Sequence, residues 1–141
     1  MTAAEDRLQC WRSAIRASGL ADDTVEHGDF TEAGGEVATV ALLARHPDLD
    51  GLIVASDLMA AGALKVLAAQ GRRVPDDVAV VGYDDLGVAE RTSPPLTTVR
   101  QPIGEMAERA TRLLLEQIDH GIPEEPARLV IPCRLVRRAS A

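Results

Sequence analysis

Val78-Ala-Val-Val-Gly-Tyr-Asp-Asp85 is an apolar run of strand length that stops at a glycine, an aromatic ring and two carboxylates. Open α/β sheets bind ligands just outside the carboxyl ends of their strands, so this wording places a site for a small polar molecule at a sheet edge. After a loop comes Pro94-Pro-Leu-Thr-Thr-Val-Arg-Gln-Pro102, which holds a short extended segment around Val99.

Outward from these stretches, strand and helix periods alternate as in a parallel α/β sheet flanked by helices. Gly51-Leu-Ile-Val-Ala55 is a fully apolar strand, and Ser56 or Asp57 caps a helix that runs to about Gln70, with Gly71 as its stop. A helix over about 32–45 has Val37, Val40, Ala41 and Ala44 as its predicted apolar face, and a short strand is placed near Thr24 to His27. Leu8, Trp11 and Ile15 mark a helix over about 3–18, with Trp11 as core packing. Ile103, Met106, Ala107, Ala110, Leu113, Leu114 and Ile118 give an amphipathic helix ended by Gly121. A last strand pairing, roughly Arg128 to Arg137, follows.

Composition excludes several classes. With 141 residues, 46% of them apolar, the chain suits one domain that buries about two-thirds of its unfolded surface. Twenty-two acidic against fifteen basic residues give a net charge of −7, which repels phosphate backbones. Cys10 and Cys133 lack metal-ligand spacing and read as buried reduced thiols. No metal or cofactor is expected. No apolar run approaches the roughly 18 residues of a membrane span, and no signal-like start is present, so secretion and membrane insertion are disfavoured and a cytoplasmic location is expected.

The site expectation rests on rare residues falling together. Of three aromatic side chains, Phe30 and Tyr83 stand directly after predicted strands and beside Asp29 and Asp84, while a third strand end carries Ser56-Asp57. Carboxylates accept paired hydroxyl hydrogen bonds and an aromatic face covers the C–H side of a sugar ring, so the mixture suits a sugar or nucleoside. Plainer readings stand beside this one. Helix capping suffices for Asp29 and Asp57, and Phe30 could plug the top of the core. Arg7 reads locally as a surface charge, and His27, His46 and His120 are scattered.

These segments resemble the effector-binding domain of the LacI/GalR family of bacterial transcription regulators. The family's Gly-(Tyr/Phe)-Asp-(Asp/Asn) strand end is similar to Gly82-Tyr-Asp-Asp85, and its Pro-Pro-Leu-Thr-Thr-Val-x-Gln-Pro segment to residues 94–102. Arg7-Leu-Gln-Cys-Trp11, Gly28-Asp-Phe-Thr31 and Ala55-Ser-Asp57 resemble three further family segments, with Cys10 departing from the usual glycine. The resemblance implies a periplasmic-binding-protein-like C-terminal lobe, truncated, spanning residues 1–141, without helix-turn-helix headpiece or N-terminal lobe. It implies ligand contacts from Arg7, Phe30, Ser56, Asp57, Tyr83, Asp84 and Gln101, an effector that is a sugar or polyol, and allosteric control of DNA binding through a headpiece lying outside this chain. It also implies a homodimer through Leu58, Met59, Leu64 and the loop Leu86 to Pro95. Two other readings remain open: a periplasmic-type sugar-binding protein of a transporter, and a hydrolase using Asp57 or Asp84 as base. The second lacks a nucleophile elbow, phosphate loop or metal cluster.

Overall fold

The structure is a computed structural model that describes residues 3–123, 125 and 128–141. Its elements are α1 (Ala3–Ala17), α2 (Glu32–Arg45), β1 (Gly51–Ile53), α3 (Asp57–Ala69), β2 (Ala79–Asp84), α4 (Gly87–Arg91), β3 (Thr97–Arg100), α5 (Ile103–His120) and β4 (Arg134–Val136). The sheet runs β1-β2-β3-β4; the first three strands are parallel and β4 pairs antiparallel at the edge. The α/β architecture expected from the alternating periods is therefore present, and α3 is the crossover between β1 and β2.

Two helical layers, α3 and then α2, stack on one side of the sheet. Leu52, Val78, Val80 and Leu96 form the core with Ala60, Ala63, Leu64 and Leu67 of α3, Leu43 of α2 and Ala89 of α4. α2 lies over α3 so closely that a Cβ at Gly35 would stand 2.2 Å from the Met59 carbonyl oxygen, and one at Gly62 2.1 Å from that of Glu32. That approach decides which face of α2 is buried. Gly35, Ala38, Thr39 and Leu43 turn inward, whereas Val37, expected in the core, is 71% exposed and Val40 and Ala44 are also exposed. Small residues win the interface because they let the two backbones meet.

The same packing corrects the expected dimer surface. Met59 and Leu64 are buried inside the chain, and α3 is apolar nearly all round because the sheet lies beneath it and α2 above it. Leu58 alone of that trio is exposed. The loop 86–95 contains α4, a helix too short for periodicity to announce.

Other expectations also shift. Thr24 to His27 form no strand; Arg45 donates to the Val25 carbonyl and pairs with Glu26 there, so the segment is tied to α2 by side chain and not to a ladder. The final pairing is confined to Arg134–Val136. Trp11 is only half-buried, and both cysteines are exposed, not buried. α5 has the expected amphipathic sequence, yet none of its residues is buried; Ile103, Met106, Leu114, Leu115 and Ile118 all face outward. The ion pairs Glu105–Arg109 and Glu108–Arg112 support it locally. Among the described residues, no helix is long and apolar enough to cross a membrane.

Candidate functional site

The end of β2 is shaped by what passes behind it. A Cβ at Gly82 would lie 2.5 Å from an Asp57 carboxylate oxygen and 2.7 Å from Leu96 Cδ2, so only glycine lets the Asp57 side chain cross the strand. Asp57 is completely buried: Oδ1 accepts from Thr98 Oγ1 at 2.6 Å and Oδ2 from the Leu86 backbone N–H at 2.8 Å. Burial pushes its carboxyl pKa up, against the pull of these two hydrogen bonds. Ser56 is also buried, and its hydroxyl accepts from Met59 N at 3.3 Å as the cap of α3. These two residues, expected to meet ligand, serve the interior of the β1–α3 junction. With no exposed surface and both oxygens accepting inside the core, Asp57 is turned away from the sheet edge where a ligand would sit.

The remaining candidates gather on the open face and end of the sheet. Tyr83 pairs in register with Val99, whose partner on the far side is Leu135. The Arg7 guanidinium carbon sits 4.4 Å from the centre of the Tyr83 ring and 5.8 Å from that of Phe30, so one cation on α1 joins both aromatics. Arg7 Nε is buried without a hydrogen-bond partner, a costly state for a charged donor group. The Tyr83 hydroxyl lies 3.6 Å from Cys133 Sγ; burial, then the thiol, raises its pKa, with Arg7 opposing.

One residue further on, Asp84 Oδ1 accepts from Gln101 Nε2 at 2.6 Å, a link between the ends of β2 and β3. The following Asp85 turns its carboxylate inward to Arg138, at 2.7 Å, and to Arg100. Burial works to raise its pKa, but hydrogen bonds and charge from the two arginines outweigh it and hold the carboxyl below the ordinary range. Sequence reading missed Asp85, Arg100, Arg138 and Cys133. A second carboxylate directly after Asp84, with an arginine directly before Gln101, was the available signal.

Backbone geometry singles out the same place. Among the described residues, the non-glycine positions with left-handed φ are Phe30 at 65°, Asp84 at 116° and Asp85 at 60°. Such conformations cost of order 1–3 kcal/mol each and persist where the surroundings enforce them, commonly at binding sites. Arg7, Phe30 and Tyr83 thus offer a cation and two ring faces, and Asp84 and Gln101 offer a carboxylate and a carboxamide at the neighbouring ends of β2 and β3. That set can hold a hydroxyl-bearing ring. Among the described residues, no group of three or more His, Cys, Asp or Glu is placed to hold a metal ion.

This fold and strand-end surface define a ligand-binding domain, and comparison with known proteins states which kind. The chain belongs to the periplasmic binding protein-like domain family, whose pattern matches residues 1–141. Within it the chain is similar to LacI/GalR-type regulators. It is 50% identical over 142 residues to the HTH-type transcriptional regulator CelR of Thermobifida fusca, covering 99% of this chain and 42% of that protein. The structure of a transcriptional regulator CelR–cellobiose complex superposes with a TM-score of 0.95 at 49% identity, over 100% of this chain and 43% of the other. A LacI family transcriptional regulator from Arthrobacter sp. FB24 in complex with lactose gives 0.73 at 37% identity, over 80% and 42%. The chain therefore spans about two-fifths of the length of these relatives.

Proposed function

We propose that this chain forms one wall of the effector pocket of a LacI/GalR-type transcription regulator and that its ligand is a small saccharide, with β-linked glucose disaccharides as the first candidates. The observation that carries this reading is the left-handed backbone at Phe30 and Asp84 beside an Arg7 whose Nε lacks a partner. A sugar supplies what these groups want: hydroxyls for Arg7 and Asp84, and a C–H face for Phe30 and Tyr83. The relatives' names, with cellobiose and lactose among their ligands, support the same ligand class. We assign no catalysis to the carboxylates, and place the protein's work in the cytoplasm, acting on DNA through a headpiece outside these residues. Regulation then requires that the sugar bind the two states of the whole protein with different affinity.

The test is calorimetry with cellobiose on a graft in which this chain replaces the matching segment, 42% of the length, of the Thermobifida fusca regulator. The graft should bind, and Asp84→Ala should weaken binding by about 1.5–3 kcal/mol, the range for losing a charged hydrogen-bond acceptor. Binding indifferent to Asp84→Ala overturns the placement of the site.

We propose further that the chain self-associates. Leu58 and Leu86 are exposed on one loop-and-helix surface, and the stripe Ile103, Met106, Leu114 and Ile118 of α5 is uncovered. Sedimentation at tens of micromolar should show a dimer or larger species; a 15.0 kDa monomer without dye-detectable apolar surface contradicts this.

A further inference from the structure

The segment 138–141 is threaded into the sheet rather than laid along its edge. Ser140 is fully buried at the start of β2 and β3: Val80 N donates to its carbonyl at 2.8 Å, its hydroxyl donates to the Val80 carbonyl at 2.6 Å and accepts from Thr97 N at 2.8 Å. The Ala139 N–H donates to the Pro95 carbonyl at 3.0 Å. This anchoring fixes the backbone of the neighbouring Arg138, whose own N–H donates to Thr97 Oγ1 at 2.9 Å. From that fixed point the guanidinium reaches three places at once. It donates to the Leu96 carbonyl at 2.9 Å, to Asp85 Oδ1 at 2.7 Å and, at 3.3 Å, to Glu90 of α4.

Asp85 is where this matters. Its side chain is only 3% exposed, it stands at φ 60°, and both its oxygens are held, one by Arg138 and the other by Arg100. An aspartate leaves the left-handed region readily unless something holds it there. The residue before it is Asp84, at φ 116°.

We infer that Arg138 is a positioning residue for ligand recognition: anchored by Ser140, it clamps Asp85 against Arg100 and thereby holds the left-handed backbone that aims Asp84 at Gln101 and at the ligand. This rests on the reading of Asp84 as a ligand group. Arg138 itself is 14% exposed and contacts the turn from behind, so it acts through Asp85. It also couples a segment 53 residues away in sequence to the site.

Solution NMR of the chain tests the clamp without any sugar. Two reporters suffice: the Gln101 side-chain amide signals, shifted by donation to Asp84, and the small HN–Hα coupling of Asp84 that follows from φ near 116°. In Arg138→Met the Gln101 amide should move to the position of a free glutamine and the Asp84 coupling should rise, while methyl signals of Leu52, Leu67 and Val80 stay in place. Arg138→Lys keeps the charge but cannot span the Leu96 carbonyl and Asp85 together, so it should fall between. Should Arg138→Met fail to fold, Asp85→Asn, nearly isosteric, carries the same test. Unchanged Gln101 and Asp84 signals in the folded variant overturn the clamp, and so does a shift spread through the core methyls, which marks a residue of general stability. In the cellobiose-binding graft, Arg138→Met should weaken affinity at least tenfold. A graft indifferent to Asp84→Ala sinks the sugar site and leaves the NMR result standing; an intact Asp84–Gln101 contact in Arg138→Met sinks the clamp whatever the sugar does.

Discussion

Two strand ends of this sheet carry carboxylates, and they use them in opposite ways. At the β1–α3 junction Asp57 is wholly buried, receives hydrogen bonds from Thr98 and Leu86, and sits in ordinary helical backbone. At the end of β2, Asp84 is only partly buried, bonds Gln101, and stands at φ 116°. The first uses its charge to join strand, loop and helix into one core. The second spends backbone strain to keep a carboxylate at the surface. Adjacent positions in one fold, written with the same residue type, thus separate into a buried structural carboxylate and one kept at the sheet end, the group proposed above for recognition, and what separates them is where the oxygens find their donors.

The contrast breaks most visibly under substitution. Asp57→Ala leaves the Thr98 hydroxyl and the Leu86 N–H without acceptors inside the core, and should cost about 2–5 kcal/mol in urea denaturation. A loss below about 1 kcal/mol means that water reaches both donors and that Asp57 is no core residue. Gly82→Ala forces a methyl against Asp57 and Leu96 and should cost about 1–3 kcal/mol. At Asp84 the backbone decides: Asp84→Gly should be more stable than Asp84→Ala by about 1–2 kcal/mol, since glycine alone is at ease at that φ. Equal stabilities in denaturation would remove the claim of strain.

Acidity sharpens the comparison with smaller effects. Asp57 has a raised pKa, so the folded chain binds its proton more readily than the unfolded one, and stability falls as pH rises from the ordinary value of 3.8 through the raised one. Asp85 is held low against burial by Arg138 and Arg100, so its contribution is present above 3.8 and is lost as pH falls through the lowered value. Urea midpoints measured from strongly to mildly acidic pH should show both slopes, that of Asp57 above pH 3.8 and that of Asp85 below it, Asp57→Asn abolishing the first and Asp85→Asn the second. A profile that neither substitution changes contradicts both assignments.

Much of this was legible in the chain because periodicity and termini agree. The apolar run 78–83 and the glycine-stopped helices fell within a residue or two of β2, α3 and α5. The buried face of α2 was not legible: the sequence offers Val37 and Val40, but backbone contact through Gly35 and Gly62 outweighs their larger apolar area. Thr24 to His27 have the residues of a strand but pair with no strand among the described residues. At the site, Tyr83 and Asp84 announce themselves by standing directly after an apolar strand, and Phe30 by standing beside Asp29 two residues after Gly28. Asp57 misled because a carboxylate at a strand end looks the same whether it faces ligand or core; only the Gly82 gap and Thr98, 41 residues away, tell them apart. Arg138 lies 53 residues from its partner, beyond any local pattern.

One pair of readings on one variant tests the division most directly. Asparagine keeps the shape of Asp84 and tolerates left-handed backbone, but carries no charge. For Asp84→Asn in the cellobiose-binding graft, stability in urea should stay within about 0.5 kcal/mol of the unsubstituted protein, while cellobiose affinity measured by calorimetry falls by about 1.5–3 kcal/mol. Stability lost with affinity intact would make Asp84 a second structural carboxylate and contradict the account.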